Sequence, residues 1–213
     1  MANAKKSSSK PAASRRSKQE TALLSRLSPG EAGQVLARIL GAHPELRAEA
    51  EGIARSVLGE VSFEPVACDV EEAVRGIDLD ALEGRAGAHS WGYTDPGDAA
   101  YQLLEEAVQP FVEDMKRHLS LGLEQEAFEI CKGIILGLYQ LKDDTGGEFL
   151  DWAPDFPAEA AGEAVTEWLT EARKGARDPK GQRNRIALLQ EFVEVHVPEW
   201  EWISKQAGGS KSK

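Results

Sequence analysis

Four histidines and two cysteines are the residues of this chain with the widest chemical range, and their spacing builds none of the common centres. A helical zinc site would place two His one turn apart with a Glu beside the first, and a helical di-metal site would place a Glu three residues before a His. His43, His89, His118 and His196 meet neither pattern. No GxSxG elbow, GxxxxGK[ST] phosphate loop or GxGxxG turn after a strand occurs. Cys68 and Cys131 stand too far apart for a CxxC pair, and two cysteines make no disulfide framework. Both fall at apolar helical positions and are expected as small core residues. His118 follows Asp114 by one turn and shares its last turn with Lys116 and Arg117, so an exposed imidazole at a helix C-terminus is expected. His43, before Pro44, has a structural place in a turn. No cofactor and no metal is implied.

Two loops concentrate the remaining chemistry. Residues 84–94 set His89, Trp91 and Tyr93 among glycines, and residues 143–157 interleave Asp143, Asp144, Glu148, Asp151 and Asp155 with Phe149, Leu150, Trp152 and Phe156. Loops of this length are uncommon inside a helical domain and are often functional. If successive helices alternate in direction, both loops lie at one end, where the acids face Arg85 or a basic partner. Two readings stand side by side. The aromatics fold back to plug the end of a helical core, or Trp91, Tyr93, Phe149, Trp152, Asp155 and Phe156 form a surface that binds a partner protein. An enzyme built on His89 and the acids of 143–155 is a further alternative. A calcium loop is disfavoured, because Asp143-Asp144 followed by Gly146-Gly147 lacks the alternating oxygen spacing.

The elements that must position these loops are helical. Ser28-Pro29-Gly30-Glu31 reads as a capping box, and the helix after it carries Ala32, Val35, Leu36, Ile39 and Leu40 on one face. Gly41 stops it and Pro44 opens a second helix with Leu46, Ala50, Ile53, Ala54, Val57 and Leu58, for which an antiparallel hairpin is expected. Ser62 caps a third helix and Asp78 a brief fourth. Asp95 starts a long helix whose apolar stripe continues in phase across Pro110, which predicts one kinked helix rather than two. Residues 123–141 form the most apolar helix and are expected at the centre, with Gly133 and Gly137 marking the close approach of a neighbour. Helices around Ala161–Ala172 and Ile186–Val193 follow, and residues 194–200 are ambiguous between helix and strand.

Composition bounds the rest. With 213 residues, 41% hydrophobic and 29% charged, the chain has enough apolar material for a packed core. Its formal net charge of -11 understates the acidity of the body, because Lys5, Lys6, Lys10, Arg15, Arg16 and Lys18 crowd the first twenty residues. An acidic body repels phosphate backbones, so the basic tail is the expected contact in the alternative reading of the chain as a nucleic-acid accessory protein. No apolar run suggests a membrane span or an export signal, and the expected location is cytoplasmic. Residues 1–17 and 206–213 are expected to be disordered tails around a single helical domain over 18–205.

The run Leu121-Gly122-Leu123-Glu124-Gln125-Glu126-Ala127-Phe128-Glu129-Ile130-Cys131 resembles tetratricopeptide- or HEAT-type repeat units. With Ser28-Pro29-Gly30-Glu31-Ala32, His43-Pro44-Glu45-Leu46 and the stretch from Pro110-Phe111 to Tyr139, residues 28–160 are similar to helical segments of uncharacterised bacterial proteins, some of which carry a SWIM-type zinc finger. The ligands of that finger are absent here, so no zinc or DNA role carries over. The resemblance implies an all-α fold of antiparallel helix pairs, solenoid-like or an irregular bundle. The function expected is a non-catalytic protein-interaction module.

Overall fold

The computed structural model describes residues 23–90, 92–142, 148–175 and 179–209. The fold is all-α, with one two-stranded hairpin among the described residues. Its contacts divide into two compact units, Met1–Ser56 and Val57–Lys213.

In the first unit, helix α1 (Pro29–Ala42) begins as its capping box requires. The Glu31 amide donates to Ser28 Oγ at 3.4 Å, and the Ser28 amide donates to the Glu31 carboxylate at 2.9 Å. The bond from the Ser28 amide, and after it that from the Ser28 hydroxyl at 2.8 Å, hold the Glu31 carboxyl below its ordinary range. A 3₁₀ turn (Pro44–Leu46) leads into α2 (Arg47–Leu58), and His43 Nδ1 lies 3.1 Å from Glu45. Neither helix has a buried residue. The stripes expected to face a core are open, with Leu36 51% and Ile53 58% exposed.

The second unit holds the core. It comprises α3 (Phe63–Arg75), α4 (Leu79–Arg85), the hairpin β1 (Gly87–His89) and β2 (Gly92–Thr94), and α5 (Pro96–Ser120). There follow α6 (Glu124–Leu141), α7 (Glu148–Trp152), α8 (Phe156–Gly175), α9 (Pro179–His196), a 3₁₀ turn (Pro198–Trp200) and α10 (Glu201–Gly209). Helix α6 is central, packed by α3, α5 and α8, and Ala127, Ile130, Cys131, Ile134, Ile135, Leu138 and Leu141 are buried along it. Its two glycines allow α3 to lie directly on it. A Cβ at Gly133 would come within 2.5 Å of Val66 Cβ, and one at Gly137 within 2.6 Å of the Ala67 carbonyl oxygen. Helix α5 is one continuous helix with Pro110 inside it, and Gly122, at φ +76°, makes the turn into α6.

Several expectations change. Residues 148–152, expected as loop, form α7, and residues 87–89 pair with residues 92–94, Ala88 opposite Tyr93. Residues 194–200 end α9 and make a 3₁₀ turn, and the helix after it carries on through 206–209, where a disordered tail was expected. Cys68 is exposed, one position round the helix from buried Ala67, whereas Cys131 is buried and its thiol is pushed up by that burial. His118 is 3% exposed rather than solvated. Phe111, Met115 and His118 succeed one another at four and three residues along the inner face of α5, and that periodicity outweighs the charge of the two neighbours.

Candidate functional site: an acidic groove between two helices

The residues expected to bind a partner separate into two groups. Phe156 is 1% exposed and Phe149 is also buried, so both rings belong to the core and the plugging alternative describes them. Trp152 (54% exposed), Tyr93 (71%) and Asp155 face solvent. Trp91, residues 143–147 and the side chains of His89 and Glu148 lie outside the described residues, as does the basic tail with Lys5, Lys6, Lys10, Arg15 and Arg16. Helix α7 packs on the start of α5. A Cβ at Gly97, in the first turn of α5 just after β2, would lie 3.2 Å from the Trp152 carbonyl oxygen. Arg85 donates both terminal guanidinium nitrogens to Glu106 at 2.8 Å, and Asp143 and Asp144, among the loop acids expected opposite it, lie outside the described residues. That pairing raises the Arg85 pKa and lowers that of Glu106.

Beyond this aromatic segment a groove of about 500 Å³ runs between α5 and α8. Tyr101, Glu105, Val108, Val112 and Lys116 line it from α5 at steps of four, three, four and four residues, which keeps them on one face. Phe156, Ala160, Glu163, Ala164 and Glu167 line it from α8 by the same periodicity. Ala160 and Ala164 leave the space that larger residues would fill, and the valines and the Phe156 ring make an apolar floor. Phe156 thus belongs both to the aromatic segment and to the groove.

Tyr101 is the most perturbed group in the groove. Its ring meets Phe156 edge-on at 5.1 Å, and its hydroxyl donates to Glu159 at 3.3 Å. Burial pushes its pKa up to about 12, helped by the carboxylates of Glu163, Glu159 and Glu105, all of which disfavour a phenolate. Lys116 pairs with Glu167 at 3.1 Å and Glu113 at 3.5 Å, and these bonds, that with Glu167 first, raise its pKa. Among the described residues no cation pairs with Glu105 or Glu163. The groove therefore offers an apolar floor, a tyrosine face and two uncompensated carboxylates, a combination that suits an alkylammonium or guanidinium group.

Chemistry of other kinds has less to stand on. Among the described residues no three His, Cys, Asp or Glu side chains converge to hold a metal ion. Lys132 is enclosed rather than presented, with Nζ 2.7 Å from Glu129 and 4.8, 5.1 and 5.7 Å from the ring centres of Phe63, Phe128 and Phe192. No helix among the described residues is long and apolar enough to cross a membrane. Sequence reasoning passed over Tyr101, Glu105 and Glu163, which flank the apolar stripes of helices more than fifty residues apart. The available signal was small residues, Ala160 and Ala164, spaced one turn apart among carboxylates. No family model, no curated protein and no solved structure matches the chain.

Proposed function

We propose that the protein is a non-catalytic, cytoplasmic protein-interaction module whose contact site is the groove between α5 and α8, and that its ligand is a Lys- or Arg-bearing segment of a partner protein. The observation that carries this reading is the half-buried Tyr101 beside Glu105 and Glu163, which have no cation partner among the described residues. A partner's cation would lie over the tyrosine face between the carboxylates, its methylenes on Val108 and Val112. Exposed Trp152 and Asp155, just before Phe156 in the chain, extend the contact surface. Charge-assisted bonds of this kind are screened by salt, so affinity should fall as ionic strength rises.

The test is a titration of the full chain with fluorescent Lys/Arg-rich peptides, read by anisotropy at low and physiological salt, with an acidic peptide of equal length as control. The expected result is saturable, salt-sensitive binding of the basic peptides, weakened at least about tenfold by Glu105→Gln/Glu163→Gln, since each charged bond contributes roughly 1.5–3 kcal/mol. Equal binding of both peptides, or full affinity in the double variant, overturns the reading.

A further inference from the structure

Lys116 closes one end of the groove with a cation of the chain's own. Its Nζ lies 3.1 Å from Glu167 on α8 and 3.5 Å from Glu113 on α5, so the ammonium bridges the two helices. Gln109 donates to the same Glu113 oxygen at 2.6 Å and helps to hold that carboxylate in place. Tyr101 meets Phe156 at the other end, so positions along α5 and α8 rise together down the groove. Glu163 therefore precedes Glu167 by one helical turn, about 6 Å, on the same wall. Of the three carboxylates that line the groove, Glu105, Glu163 and Glu167, only Glu167 has a cation partner among the described residues. A partly exposed ion pair of this kind contributes little to stability. It does fix how much negative charge the groove has left.

We propose that Lys116 sets the valence of this site: by holding Glu167 itself, it restricts the groove to one cationic side chain of a partner and denies added affinity to a second cation placed near Glu167. The inference rests on the groove being the contact site for a Lys- or Arg-bearing segment. Lys116 shows within the chain how an ammonium is held there, between one acid of each helix. Glu105 and Glu163 are again one from each helix, and both act on the Tyr101 hydroxyl, so a ligand cation over that ring has partners of the same kind. A second ligand cation has none. Glu167 is already neutralised, and the Lys116 ammonium repels a like charge beside it, the repulsive element on which discrimination between ligands depends. In an extended segment, residues two positions apart share a side and lie about 7 Å from each other, close to the step from Glu163 to Glu167. A Lys-x-Lys segment would thus reach both acids if residue 116 were neutral. The partner that fits the wild-type groove carries an isolated Lys or Arg, not a polybasic run.

The experiment is an anisotropy titration of the full chain, at physiological salt, with three fluorescent Gly/Ser peptides of equal length. One carries a single Lys, one carries Lys-x-Lys, and one carries two Lys six positions apart, roughly 20 Å when extended. The wild-type chain should bind the Lys-x-Lys peptide no more than about twofold tighter than the single-Lys peptide, the statistical factor for two equivalent groups. Lys116→Met, which keeps the methylenes, and Lys116→Gln should each raise that preference to at least about tenfold, the effect of one added charge-assisted bond. The widely spaced peptide should gain less than about threefold, since its second charge lies beyond the screening length. Lys116→Arg should keep the wild-type ratio, and Glu167→Gln in the Lys116→Met chain should restore it. A ratio unchanged in both neutral variants, an equal gain for the two spacings, or a tenfold preference already present in the wild type overturns the proposal and leaves the groove as a contact site. Failure of all three peptides to bind the wild-type chain overturns the groove reading, and the proposal with it.

Discussion

Tyr101 and His118 lie on different faces of α5 and illustrate two uses of burial. Tyr101 keeps its hydroxyl at the groove, where burial and three carboxylates hold the proton on. Because its folded pKa of about 12 lies above the unfolded value, the stability it contributes is complete below about pH 10 and declines as pH rises from there to about 12. Denaturation midpoints of the wild-type chain should fall over that window, and those of Tyr101→Phe should fall less. Absorbance titration should show a tyrosine step near pH 12, and the same substitution should remove that step. His118 differs. Its Nδ1–H donates to the Asp114 carbonyl oxygen at 2.8 Å, while Nε2 is buried without a hydrogen-bond partner among the described residues. Replacing a half-satisfied polar side chain by an apolar one of similar size removes the cost of the orphan atom along with the bond. His118→Leu should therefore change stability by less than about 1 kcal/mol, whereas His118→Asp should lose at least about 3 kcal/mol, both read by chemical denaturation. A large loss in His118→Leu would mean that Nε2 has a partner. The burial of His118 was legible, since it continues the step from Phe111 and Met115, but Lys116 and Arg117 argued for solvent and carried more weight than the period deserved.

At the scale of the elements, contact between α3 and α6 is set by what is missing from Gly133 and Gly137. A methyl group at either position meets Val66 or the Ala67 carbonyl well inside van der Waals range. Gly133→Ala and Gly137→Ala should each destabilise by about 1–3 kcal/mol, against an opposing helix-propensity gain of roughly 1 kcal/mol. Gly52, in the middle of α2 with open space around it, is the control. There Gly→Ala should raise helicity by far-ultraviolet circular dichroism with no loss of stability. Lys132 joins α6 to α3 and α9 through the rings of Phe63, Phe128 and Phe192. Lys132→Met keeps the packed methylenes but removes the cation from three rings and from Glu129, so a loss of about 2 kcal/mol is expected in denaturant unfolding. Capped helices were readable because their signals are local. Ser28 with Glu31, Asp95 before Pro96, and the stripe running in phase through Pro110 each lie within a turn or two of chain. Helix α7 was not readable, because five residues hold too little of any period to outweigh the glycines before them. Nor was the groove, whose two walls come from α5 and α8 and exist only once those helices pack.

Across the whole molecule, the boundary near Ser56 separates a unit with no buried residue among its described ones from one that contains the core. The apolar stripes of α1 and α2 could be read, but whether anything covers them depends on contacts that periodicity does not encode. Hydrogen exchange should show amides of 29–58 opening faster than those of α6, because local stability follows buried contacts. The division has a further consequence, written in the distribution of aromatic residues. The first 56 residues contain no Trp, Tyr or Phe, and all five tryptophans lie in the second unit. Among them, Trp168 is buried and stacked on Phe128 at 4.8 Å, while Trp152 is open to solvent. Intrinsic fluorescence and the near-ultraviolet spectrum therefore watch only one unit, while the peptide bands of the far ultraviolet watch both. The difference between the two signals isolates the unfolding of the first unit optically, in an unlabelled and unmodified chain.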